Sequence, residues 1–206
     1  MTHSFFLGRF FASAIAWFLA LTLLWLPVSA WTSYPVAGIA HVVLDYGARD
    51  WVRKVDKAPG RLNVETRIVI VLPGQSSGRA ELIVEVDPSK NAYGLPLFLA
   101  LLLASRSRHL FRRALAGYVI LLVPQAFSVV LDILKQIIVA QASPLSLGIG
   151  QWQMEVIALG YQFGALLLPT LAPVILWLFL EQAFLAAVMV DGGLSRAATE
   201  YKPLSK

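Results

Sequence analysis

Four long apolar blocks dominate the pattern of hydrophobic and polar positions along the chain. They cover Phe10–Ala30, 91–105, Ala114–Ala140 and Val156–Val190. The first block would be about 31 Å long as a helix, which is enough to cross the hydrocarbon core of a bilayer. The pattern therefore predicts about four transmembrane helices. Pro169 and Pro173 in the last block, like Pro124 in the third, predict kinks in these helices.

Between the first two blocks the pattern changes to shorter segments. The apolar positions between Pro35 and Pro59 have a mostly helical spacing, which predicts a helix that is weakened at Gly47. Two runs rich in β-branched residues, 62–72 and 79–86, flank the turn-rich sequence LPGQSSG and predict a β-hairpin. An isolated hairpin is marginally stable in water. This one therefore requires support from the preceding helix, from the membrane or from a strand of another protein.

Basic residues orient the predicted helices. The loop 106–113 contains Arg106, Arg108, Arg112 and Arg113 and no acidic residue, which places it in the cytoplasm because short cytoplasmic loops are enriched in Lys and Arg. The predicted organisation is then a cytoplasmic N-terminus and first span in 1–31, an extracytoplasmic helix and hairpin in 32–90, three further spans in 91–190 and a cytoplasmic tail in 191–206.

The first block has an alternative interpretation as a signal peptide. The sequence PVSA, which ends at Ala30, has the small residues of a cleavage site. The apolar run is longer than the usual 7–15 residues of such peptides, and this favours an uncleaved anchor. Both interpretations predict the same topology for the rest of the chain.

Composition supports a membrane protein and excludes some chemistry. The chain is 58% hydrophobic and 14% charged, whereas about a quarter of the residues of a soluble domain are charged. We therefore predict a predominantly α-helical polytopic membrane protein with a small extracytoplasmic helix and hairpin. Cysteine is absent, which excludes a thiol nucleophile and thiolate metal ligands. No catalytic motif is recognisable, and we predict no catalytic residues, no cofactor and no metal.

Polar residues inside the apolar blocks are the candidate site residues, because an ionisable group within a span often has a function. Asp132 and Lys135 lie about 28 and 33 Å beyond Arg113 along the third predicted helix, and so close to its outer boundary. They are three residues apart and hence neighbours on the helix surface. We interpret them as an interfacial ion pair.

Gln125 and Glu181 are predicted at similar depths in the bilayer. Gln125 lies about 18 Å from the inner end of the third helix, and Glu181 about 15 Å from a fourth helix ending near Asp191. One hypothesis is that these two side chains contact each other inside the bundle. The alternative is that the last span ends near Glu181 and the residues after it form a helix on the inner surface.

Two segments carry a resemblance to a known family. The sequences NAYGLPLFLALLLAS, which opens the second block, and RALAGYVILLVPQAFSVVLDILKQI, which runs through the third, are similar to those of exosortase H-associated membrane proteins. The resemblance implies a multi-pass protein of a bacterial inner membrane, associated with an exosortase. Exosortases process C-terminal sorting signals on exported proteins, and their catalysis requires a cysteine. The resemblance therefore implies a non-enzymatic accessory protein that binds an exosortase-like polytopic partner.

Two other functions remain open at this stage. The chain could be a subunit of an oligomeric transporter or channel, with Glu181, Gln125 and Asp132 lining the path. It could also be an assembly factor for pili or another envelope machine. For partners we expect membrane lipids and a polytopic protein, with a homo-oligomer as an open alternative, and no nucleic acid.

Overall fold

The computed structural model describes residues 2–71, 79–140 and 150–190, apart from 183, 187 and 189. The chain is 75% helical with one small antiparallel sheet, which confirms the predicted helical class. The α-helices are α1 (Thr2–Trp25), α2 (Ser29–Thr32), α3 (Tyr34–Gly47), α4 (Gly94–Ala104), α5 (Leu110–Val139), α6 (Gln151–Gln162) and α7 (Leu168–Leu180). The strands are β1 (Val52–Ala58), β2 (Arg61–Val71) and β3 (Arg79–Val86), in the spatial order β1-β2-β3.

Among the described residues, two helical segments are long and apolar enough to cross a membrane. They are Leu7–Thr32, which contains α1 and α2, and Leu110–Val139, which is α5. Helices α6 and α7 qualify together as a third span, bent by 57° at the π-helical turn Phe163–Leu167. Helix α4 is about 16 Å long and cannot cross the core alone. The predicted count of four spans is therefore not confirmed.

The predicted hairpin is present as β2 and β3, but the helix predicted before it is only half correct. Helix α3 ends at Gly47, and residues 52–58, expected to continue it, form β1 instead. The reason is the Pro59–Gly60 turn, which joins the paired residues Ala58 and Arg61. Gly60 has a φ of 75°, which an L side chain rarely adopts. A hairpin therefore forms where the sequence had suggested only the end of a helix.

The sheet is supported by two helices of the same chain. Leu44 of α3, Val64 of β2 and both Val129 and Ile133 of α5 belong to one buried core. Val84 of β3 joins the same core, so one face of all three strands is covered. The support that the hairpin requires therefore comes from β1, α3 and the second half of α5.

A second core holds the helices together around α4. It contains Phe98 and Leu102 of α4, Leu121 of α5, Trp177 of α7 and Phe10 of α1. The rings of Phe10 and Trp177 are stacked with their centroids 5.6 Å apart. Helix α4 is thus the centre of the bundle, although it is too short to be a span.

Candidate functional site

A small cavity, mostly apolar but with three polar side chains in its lining, lies between α4, α5 and α7. Among the residues that line it are Asn91, Gly94, Pro124, Gln125, Ser128, Pro169 and Pro173. The amide side chains of Gln125 and Asn91 are 6% and 8% exposed. Burying an amide is unfavourable unless it is hydrogen-bonded, so these two side chains mark the polar centre of the bundle.

Two prolines and a glycine give the cavity its shape. Pro173 has no backbone N–H, so it cannot donate a hydrogen bond to the carbonyl of Pro169 four residues earlier. Helix α4 begins against this carbonyl, because a Cβ atom on Gly94 would lie 2.5 Å from the Pro169 oxygen. Only glycine allows this close approach without a shift of backbone. The start of α4 therefore lies beside the Pro169 carbonyl, which receives no backbone hydrogen bond from residue 173 of helix α7.

Ser128 connects α5 to the π-helical turn at the edge of the same cavity. Its hydroxyl oxygen lies 2.6 Å from the carbonyl oxygen of Gly164 and 2.9 Å from that of Pro124. The side chain is 1% exposed, so these contacts are shielded from water and lipid. They position the bend between α6 and α7 against α5.

The groups at the cavity can form hydrogen bonds but have no ionisable side chain among them. The cavity has a volume of about 10 Å³, which is room for about one water molecule. The two amides and the Pro169 carbonyl supply the polar partners that a buried water requires. Within the described ranges no group of three or more His, Asp or Glu residues could hold a metal ion.

Glu181 lies elsewhere, at the end of α7 beside the basic loop. Its Oε1 accepts a hydrogen bond from Nη1 of Arg113 at 2.5 Å, and the same nitrogen lies 2.9 Å from the Ser107 hydroxyl. The Glu181 side chain is 6% exposed and that of Arg113 is 28% exposed. Nearby, Nε1 of Trp177 donates to the Ser105 hydroxyl at 3.3 Å. These contacts connect the loop between α4 and α5 to the end of α7.

The predicted contact between Glu181 and Gln125 is therefore wrong. Arg113 and Gln125 are separated by about 18 Å along α5, so a carboxylate bound to the first cannot reach the second. Helix α7 ends at Leu180, and Glu181 leaves the helical conformation with φ −111° and ψ 35°. Residues 182, 184–186, 188 and 190 are helical again, so the helix is interrupted at Glu181, and the alternative in which the last span ends near Glu181 stays a prediction.

Asp132 and Lys135 do not form the predicted ion pair. In the described part of the chain no salt bridge joins them, and the Lys135 ammonium lies 3.9 Å from the centroid of the Tyr161 ring. Such a cation–π contact contributes about 0.5–1 kcal/mol at an exposed site. This contact links α6 to α5. Both Asp132 and Lys135 are partly exposed.

The exposed face of the sheet carries opposite charges in pairs. The pairs are Arg53–Glu81 at 2.9 Å, Arg61–Glu85 at 3.6 Å and Lys54–Asp56 at 2.7 Å. The hydrogen bond to Asp56 raises the pKa of Lys54 above its usual value. All six side chains are exposed, so each pair stabilises the sheet only weakly. Ile83, 62% exposed, is an apolar residue on the same face.

Sequence reasoning missed three residues of these polar sites. The sequence assigns Arg113 only to the basic loop and to the inner end of the third helix, although it is the partner of Glu181. Asn91 begins the second apolar block and Ser128 lies inside the third. A polar residue at such a position is the signal in the sequence that could have identified them. Ser128 also follows Pro124 by four residues, a spacing at which a serine hydroxyl can bond the earlier carbonyl.

Comparison with known proteins identifies the family but no characterised relative. Searches of curated proteins and of solved structures found no match. The family described as exosortase H-associated membrane protein matches residues 4–184, which is most of the chain. The match includes all but the first two residues of α1, and it includes the sheet, the cavity beside α4 and the Arg113–Glu181 pair. The chain therefore belongs to the exosortase H-associated membrane proteins.

Proposed function

We propose that this protein is a non-enzymatic accessory subunit of an exosortase-type sorting system in the bacterial inner membrane, and that it acts by binding the polytopic enzyme. The family match over residues 4–184 is the observation that carries the proposal. Its description names both a membrane location and an association with exosortase H. The buried polar groups described above serve the packing of the bundle, which is what a binding subunit requires.

The proposed topology places the basic loop and both termini in the cytoplasm. Arg106, Arg108 and Arg112 are exposed at the end of the bundle where Arg113 contacts Glu181. This concentration of positive charge supports a cytoplasmic position for that end. The sheet then lies towards the other side of the membrane, where exported substrates are processed.

We propose that the partner contacts the outer face of the bent pair α6–α7. Trp152, Val156, Leu159, Phe163 and Leu167 are exposed along one face of this pair. On the side that contacts α5, an ideal Cβ on Gly160 or Gly164 would lie close to Leu131 or Ser128. The contact of Ser128 with Gly164 and the prolines of α7 favour this bend, so we expect the exposed face to be formed before a partner binds. A preformed surface reduces the entropic cost of association.

Cysteine cross-linking in native membranes tests both parts of this proposal. The chain has no cysteine, so each single-cysteine variant has one reactive position. We expect Leu159→Cys, labelled with a photoreactive maleimide, to form one discrete adduct with a multi-span exosortase. Leu23→Cys on α1 is the matched control, because Leu159 and Leu23 are 64% and 70% exposed apolar residues of membrane helices.

The outcomes separate the surface from the function. An exosortase adduct at residue 23 and none at 159 would refute the α6–α7 surface but keep the accessory function. An adduct at either position with a different envelope protein, and none with an exosortase, would refute the accessory function itself.

A further inference from the structure

Helix α3 carries an apolar stripe that nothing in the described structure covers. Trp31, just before the helix, is 69% exposed, Val42 is 53% exposed and Tyr46 is 72% exposed. Pro35 is also exposed, and the spacing of these positions places them on one side of the helix. The opposite side is buried in the core with the sheet and α5. Helix α3 is therefore apolar on two sides, and only one of them has a partner within the chain.

The start of α3 lies within the helical bundle. Only Ser33 separates α3 from the apolar segment Leu7–Thr32. The Tyr118 hydroxyl donates a hydrogen bond to the carbonyl oxygen of Thr32 at 2.8 Å. Tyr118 lies only about 8 Å along α5 from Arg113, and therefore well inside the apolar part of that helix.

The neighbouring side of α5 is itself exposed and apolar. Its exposed side chains include Phe111, Leu115, Val119, Val123 and Phe127. They follow one another at every fourth position over about 24 Å, which is most of the thickness of a hydrocarbon core. The core side of α3 packs on α5 from Leu122 onwards, so the two helices overlap in depth.

Helix α3 packs beside the turn that precedes the short helix α4. The turn Pro88–Asn91 leads from the sheet into α4, and Pro88 and Asn91 are buried. Irregular backbone at membrane depth must be shielded from lipid, because its polar groups have no water to bond. Helices α3 and α5 both contact this turn. Helix α3 thus occupies the space that a full-length second span would otherwise fill.

From these observations we propose that α3 is embedded in the bilayer and that Trp31, Pro35, Val42 and Tyr46 contact lipid. A cation at the far end of the helix fits such a position: Arg49 lies 5.0 Å from the centroid of the Tyr46 ring. Aromatic rings and basic groups with long apolar stems are typical of the boundary between acyl chains and headgroups.

The other flank of α3 is polar and provides the internal control. His41 and Asp45 lie 3.2 Å apart on this flank, and the Asp45 side chain is 46% exposed. Around the helix axis, Asp45 is turned by about 60° from Val42 and by about 100° from Tyr46, away from the centre of the apolar stripe. Gly38 lies on the same flank, and the Lys57 ammonium of β1 would be 3.9 Å from an ideal Cβ atom there.

Spin labels at Val42 and Asp45 test the proposal. The full-length variants Val42→Cys and Asp45→Cys would be labelled with a nitroxide and reconstituted in bilayers of phosphatidylethanolamine and phosphatidylglycerol. Collision rates would be measured with oxygen, which concentrates in lipid, and with a water-soluble nickel chelate. We expect the oxygen rate to exceed the nickel rate at residue 42 and the order to reverse at residue 45.

Two results would overturn the proposal. Nickel rates above oxygen rates at both residues would place the stripe in water. An immobilised label at residue 42, reached by neither reagent, would show that a second copy of the protein covers it. Both residues are exposed, so the substitutions should leave the fold intact, and unchanged thermal unfolding in detergent checks this.

Discussion

Gly117 provides a sharp test of the packing around α4. A Cβ atom at this position of α5 would lie 2.1 Å from two ring carbons of Phe98, whereas carbon atoms in contact are normally about 3.5–4.0 Å apart. The Phe98 ring is 0% exposed and cannot move aside without disturbing Leu102 and Trp177. Overpacking of this kind costs about 1–3 kcal/mol, and replacing a helical glycine by alanine returns about 0.5–1 kcal/mol. We therefore expect Gly117→Ala to lower the free energy of unfolding by about 1–2 kcal/mol.

Equilibrium unfolding in detergent micelles measures this effect against a matched control. Gly8 lies on α1 with nothing within 4 Å of an ideal Cβ, so Gly8→Ala should be neutral or slightly stabilising. Adding Phe98→Leu to Gly117→Ala removes the atoms that clash, and the double variant should lose less stability than the two single losses combined. If Gly117→Ala were as stable as Gly8→Ala, the close crossing of α4 and α5 would be incorrect.

Three further predictions concern single contacts. Arg113→Gln leaves the buried carboxylate of Glu181 without its cation and should lower the free energy of unfolding by about 1.5–3 kcal/mol. Adding Glu181→Gln to this variant should lower it further by a smaller amount. Gly60→Ala should destabilise the sheet by about 1–2 kcal/mol, because alanine at a φ of 75° is strained, and hydrogen exchange of the strand amides would show the loss. Tyr161→Leu should lower the free energy of unfolding, measured by thermal unfolding, by about 0.5–1 kcal/mol. In a Lys135→Met background, the same substitution should lower it by no more than about a few tenths of a kcal/mol.

Much of the fold could be predicted from the sequence because it depends on local patterns. The apolar run of α5 and the alternating runs of β2 and β3 are continuous in sequence, and the structure has both. Strand β1 was missed because VRKVDKA has two apolar valines spaced by three, which also fits a helix. The signal that could have identified it was Pro59–Gly60, since Pro followed by Gly is typical of a tight turn.

The polar sites were less predictable because they depend on how helices bend and cross. Gln125 and Glu181 were placed at the same depth by counting residues along straight helices. The π-helical turn and the early end of α7 change that count, and Glu181 reaches Arg113 instead. The pairing of Lys135 with Tyr161 rather than Asp132 likewise requires the position of α6, which no local pattern encodes.

The central claim is that this protein acts as a bound subunit of an exosortase-type enzyme. The most direct measurement is native mass spectrometry of tagged protein extracted from its own membrane with a mild detergent. We expect a complex that contains the 22.6 kDa chain and one multi-span exosortase at a fixed ratio. Recovery of the chain only as a stable homo-oligomer, while the enzyme is present in the same extract, would contradict it.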